Sequence, residues 1–75
     1  LETLQYQWKA AAALQLFSSD FNTIKGYDLL GKEVPLVIEK GQKGLFIAYP
    51  TTCFMIQLAK ENQNYVLRTP LTVTP

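Results

Sequence analysis

Seventy-five residues make one domain, and a domain this short buries only about 60% of the surface its unfolded chain exposes, which excludes a thick core. An apolar share of 48% with 12% aromatics excludes a disordered chain, and a net charge of +1 excludes the strong field that draws in polyanions. Charged residues are 17% of the chain, below the roughly 25% of an ordinary soluble domain, so part of the surface is expected to be covered by a partner or a second copy.

No Gly or Pro interrupts Glu2 to Phe17, and Ala10 to Ala13 are four consecutive strong helix formers. Leu4, Trp8, Ala11, Leu14 and Phe17 recur at three- and four-residue intervals. The pattern predicts an N-terminal helix within residues 1–20 with one apolar stripe, ended by Ser18, Ser19 and Asp20. Residues 21–31, punctuated by Gly26 and Gly31, read as a connection whose Tyr27, Leu29 and Leu30 tuck beneath a barrel formed by the rest of the chain.

From residue 32 the period changes to two. Val34, Leu36 and Ile38 alternate with Pro35, Val37 and Glu39, predicting a first strand that Pro35 confines to an edge or an early position. Glu39 to Gly44 reads as a hairpin loop, Leu45 to Tyr49 as a second strand and Pro50 to Thr52 as a turn. Cys53 to Ala59 is a third strand with Phe54, Ile56 and Leu58 on one side, followed by a polar loop from Lys60 to Asn64. Tyr65 to Arg68 is a fourth strand, and Leu71 to Val73 a short fifth one beyond Pro70. The expected fold is mainly β: one domain over 1–75, a helix and then a five-stranded, strongly bent antiparallel sheet closed into a small barrel over 32–75.

Chemistry is sparse. Histidine is absent, and Asp20, Asp28, Glu33, Glu39 and Glu61 fall in connections or at strand ends without a catalytic spacing, so no enzyme activity is expected. Gly41-Gln42-Lys43-Gly44 is too brief for a phosphate loop. The lone Cys53 can form neither an internal disulfide nor a zinc site and reads as a buried small hydrophobe. No cofactor, metal or small-molecule substrate is expected, and the missing disulfides suit a reducing, cytoplasmic or nuclear, compartment. No apolar run reaches the roughly 18 residues of a membrane span, so no membrane partner is expected. The start at Leu1 rather than Met fits a domain excised from a longer protein. Lys40, Lys43 and Arg68 are the candidates for phosphate contact and Tyr49 for stacking on a base.

The order of elements resembles that of the Sm and Sm-like family over Gly31 to Pro75. Gly44-Leu45-Phe46-Ile47 resembles the point where a glycine opens that family's bent second strand, and Phe54 to Leu58 its third strand. Val66-Leu67-Arg68-Thr69-Pro70-Leu71 resembles the second Sm motif. The family's acidic residue and asparagine between the second and third strands are replaced by Tyr49-Pro50-Thr51-Thr52, and the glycine and asparagine after its arginine by Thr69 and Pro70. The resemblance therefore implies a barrel without its RNA pocket, nearest in character to the Sm-like Gemin subunits of the SMN complex and more distantly to Hfq.

Three alternative functions stand, the first of them preferred. The first is a non-catalytic module that pairs through strand edges, with a protein partner or with itself, in a ribonucleoprotein or its assembly complex. Its interface would be Tyr65, Val66, Leu67, Leu71 and Val73, with Trp8 beside them. The second is a single-stranded RNA binder of Hfq type using Lys40, Lys43, Tyr49 and Arg68. The third is an SH3-like barrel that docks a peptide.

Overall fold

The computed structural model describes residues 4–9 and 12–70, and those residues contain eight strands and no helix. In chain order they are β1 (Tyr6–Lys9), β2 (Ala13–Leu16), β3 (Thr23–Asp28), β4 (Glu33–Val34), β5 (Val37–Gly41), β6 (Gly44–Ala48), β7 (Cys53–Lys60) and β8 (Gln63–Arg68). They form two antiparallel four-stranded sheets, ordered β1-β2-β6-β5 and β4-β3-β7-β8.

The predicted helix is therefore corrected to a β-hairpin. Tyr6 pairs with Leu16 and Lys9 with Ala13, and Ala12 closes the turn at φ +60°. Period two is present in this stretch, in Gln5-Tyr6-Gln7-Trp8 and again in Leu14-Gln15-Leu16, and here it prevails over period 3.6. The alanine run favours a helix by at most about 0.7 kcal/mol per residue. As a strand, β2 places both Leu14 and Leu16 at 0% exposure, and full burial of a leucine contributes about 1.5–3 kcal/mol. Tertiary burial outweighs local propensity. Phe17, assigned to the helical stripe, is instead 43% exposed.

The five-strand expectation falls short in the connection as well. Residues 23–28 of the predicted connection are β3, which pairs with β7 along its whole length. The single strand expected over 34–38 is two strands in different sheets: β4 pairs with β3, β5 pairs with β6, and Pro35 and Leu36 carry the chain across. Proline cannot donate to a ladder, which is why the break falls there. The 39–44 and 60–64 loops shrink to the two-residue turns Gln42-Lys43 and Glu61-Asn62. The expected fifth strand at 71–73 lies outside the described residues.

One core joins the sheets. Leu14, Leu16, Leu45 and Ile47 come from the first sheet and Cys53, Ile56 and Leu58 from the second, with Trp8, Ile24, Leu36, Tyr49, Tyr65 and Leu67 among the half-buried residues packed on it. Cys53 is buried, as its sequence context suggested. Phe54 does not stay with Ile56 and Leu58 as expected. The register between β3 and β7 shifts at Tyr27/Asp28, so Asp28 faces Cys53 while Tyr27 faces Met55, and Phe54 is the extra residue of a bulge. Cys53 joins the core, while Phe54 lies under the Arg68 guanidinium, 4.9 Å from its ring centre.

Candidate functional site

Among the described residues, β5 is an edge strand hydrogen-bonded only to β6. An edge strand carries a row of N–H and C=O groups that no ladder satisfies. All five residues from Val37 to Gly41 are exposed, although alternation sends their side chains to opposite faces. The strand therefore projects past the cover of the second sheet. Val37 is 63% and Ile38 43% exposed, so apolar side chains flank the free backbone on both faces.

Of the other three edges, β1 is open as well, with Tyr6, Gln7 and Lys9 exposed and only Trp8 packed on the core, while the remaining two are better protected. The edge strand β4 has only two residues, and β8 alternates half-buried with exposed residues. On β8, Tyr65 and Leu67 turn inward onto the core, the Tyr65 hydroxyl donates to Gln63 Oε1, and Val66 is 62% exposed. Of the remaining interface residues expected from sequence, Trp8 packs against the core. It meets Tyr6 and Tyr49 edge to face, with ring centres 5.9 and 6.0 Å apart. Leu71 and Val73 lie outside the described residues.

The residues expected to touch RNA are not brought together. Lys40 lies on β5 and Lys43 in the turn after it, whereas Tyr49 stands beyond the far end of β6, half-buried against Trp8. Arg68 belongs to the other sheet. Val37 and Ile38 were missed as site residues because 34–38 reads as one strand. The signal was Pro35, which separates the protected β4 from the open β5.

No group of three or more potential metal ligands occurs among the described residues. The two displaced titrations lie elsewhere. Burial raises the Cys53 thiol pKa, partly offset by backbone hydrogen bonding with Tyr27 and Met55, and burial followed by the Cys53 charge raises the Tyr49 phenol. In both groups the fold favours the neutral form. Their contribution to stability is complete below the ordinary thiol pKa of about 8.5 and is lost as pH rises through the raised folded values. Urea denaturation is expected to show stability falling above that pH, with a shallower fall in Cys53→Ala. An unchanged slope in that variant would remove the thiol as the cause.

Set against protein-family models, curated proteins and solved structures, the chain finds no match in any of the three.

Proposed function

We propose that this protein is a non-catalytic pairing module whose β5 edge joins the β5 edge of a second copy, continuing one sheet across two chains. The observation that carries this reading is the exposure of all of β5, on both faces, beside an unshared backbone edge. The low charge content, 17%, supports it.

Symmetry restricts how two such edges can meet. A two-fold axis between antiparallel strands stands normal to the sheet, so facing residues share a side and the axis passes through a residue paired with its own copy. An axis at Glu39 or Lys40 would oppose like charges, which disfavours the pairing. An axis at Ile38 pairs the two isoleucines, sets Val37 beside the other Glu39, and avoids that repulsion. An axis at Val37 would carry the ladder into Pro35, which has no N–H to donate, and one at Gly41 would carry it into the turn, so Ile38 is the expected centre of the interface.

Light scattering over a concentration series is expected to show the mass approach twice the 8.5 kDa of one chain. Ile38→Lys, a charge on an edge strand, is expected to restore the single-chain mass. Because Ile38 is 43% exposed on an edge strand, that change should cost no more than about 1 kcal/mol. A wild-type chain that remains single near millimolar concentration would overturn the reading.

A further inference from the structure

The open edge at β1 has a defined set of unshared groups. The strand is hydrogen-bonded only to β2 among the described residues. The Phe17 amide donates to the Gln5 carbonyl at 3.3 Å, so the backbone groups of Gln5, and by alternation those of Gln7 and Lys9, face β2. The N–H and C=O groups of Tyr6 and Trp8 therefore point the other way, into the open side.

The chain leaves the second sheet beside this edge. Strands β4 and β5, one at the edge of each sheet, are joined by Pro35 and Leu36 alone, so those two edges meet along one side of the sandwich, and β8 and β1 border the other. Both β8 and β1 also run toward the same end. Thr69, which follows β8, donates its hydroxyl to the Cys53 carbonyl at 2.9 Å, and the Cys53 amide donates to the Pro50 carbonyl at 2.9 Å. Tyr49, just before Pro50, donates its amide to the carbonyl of Ala12 at the close of the β1–β2 turn, and its ring stands 6.0 Å from that of Trp8.

The β3–β4 turn, on the opposite side, leaves the path from Pro70 to β1 clear. Its Leu29 is 73% and its Leu30 92% exposed, contrary to the expectation that they tuck beneath the sheet. The turn is held outward by its own bonds: Asp28 Oδ1 accepts from the amides of Leu30 and Lys32, both at 2.9 Å, and Gly31, at φ +84°, supplies the left-handed step.

We propose that residues 71–75 turn over this end and run back along β1 as an antiparallel fifth strand of the first sheet. Sheets pack about 10 Å apart and an extended residue advances about 3.3 Å, so Pro70 and Leu71 span the gap, as Pro35 and Leu36 do between β4 and β5. Thr72 then lies opposite Lys9, and Val73 opposite Trp8, with whose outward N–H and C=O it pairs. The alternation of the segment fits this register. Leu71 and Val73 fall on the face that Trp8 turns to the core, and Thr72 and Thr74 on the face of Lys9 and Gln7. Covering β1 leaves β5 as the open edge of the first sheet, so an assembly through β5 stops at two chains. The proposal does not rest on that pairing, because β1 gains its cover whether or not β5 finds a partner.

The test is amide hydrogen exchange in the full chain, followed residue by residue. The Trp8 amide is expected to exchange at a rate independent of protein concentration, in the wild type and in Ile38→Lys alike. In Val73→Pro, whose missing N–H breaks the pair with Trp8, that rate should rise about tenfold. The Gln7 amide, bonded to β2, is the control and should keep its rate. Under mild oxidation Lys9→Cys with Thr72→Cys is expected to close a disulfide within one chain, since facing residues lie within the roughly 4.4–6.8 Å between Cα atoms that a disulfide spans. A disulfide between two chains, Trp8 protection that grows with concentration, or Trp8 exchange that Val73→Pro leaves unchanged would overturn the proposal. A wild-type chain that stays single in light scattering would sink the β5 reading and leave all of these results as they are.

Discussion

Gly44→Ala is expected to cost the domain more than about 3 kcal/mol, enough to unfold much of it, because two independent penalties fall on one atom. Gly44 holds φ at +128°, a conformation L side chains rarely adopt. A Cβ there would also collide with the Leu16 carbonyl oxygen and stand 2.9 Å from the Ser18 amide nitrogen, both of them backbone. Neither can move without opening the ladder between β2 and β6, which pairs Leu16 with Leu45 at the centre of the first sheet. Gly41→Ala provides the control three residues away. It has no positive φ, and its added Cβ would meet nothing closer than 3.9 Å, so its cost should stay below about 1 kcal/mol. Urea denaturation of both variants separates the site-specific effect from a general effect of losing a hairpin glycine.

Leu16→Ala should cost about 2–5 kcal/mol and Phe17→Ala less than about 1, although phenylalanine is the larger side chain. Leu16 is fully buried among residues of both sheets, so truncation leaves a cavity in a thin core. Phe17 is 43% exposed and forfeits little. The order of the two effects distinguishes a strand from a helix here. On a helix the apolar stripe would hold Leu14 and Phe17 and leave Leu16 aside; on β2 alternation puts Leu14 and Leu16 together. Equal or reversed costs, measured by denaturation, would contradict the hairpin.

These two sites also show what could be read from the residues. The mainly β character, a hairpin loop somewhere within 39–44 and the strands β6, β7 and the greater part of β8 emerge from period-two runs bounded by Gly, Pro and Asn. A special backbone role for Gly44 is legible as a missing side chain, but its cause, the Leu16 carbonyl, comes from a segment 28 positions earlier that pattern alone assigns to a helix. Residues 2–17 carry both periods at once, and local propensity cannot choose between them. The choice is made by the second sheet, whose core residues cover Leu14 and Leu16.

The candidate site was less legible for a related reason. Exposed apolar residues and buried ones have the same letters. Ile38 and Ile47 face each other across β5 and β6, yet one is 43% exposed and the other 0%. The difference is how far the second sheet extends over the first, a property of two surfaces and not of either strand. Leu29 and Leu30 pose the same problem. The Asp28 and Gly31 around them do announce a turn, since Asp commonly accepts from amides two residues on and Gly takes the left-handed step, and a turn tip is where a leucine pair stays outside.

Cysteine scanning along β5 tests the edge-pairing account most directly, because the buried Cys53 leaves an almost silent background. Under mild oxidation Ile38→Cys is expected to give a covalent dimer quickly, with Glu39→Cys slower and Lys43→Cys, in the turn, slowest. Covalent dimers that form at equal rates at all three positions, or fastest at Lys43→Cys, would contradict a two-fold pairing centred on Ile38.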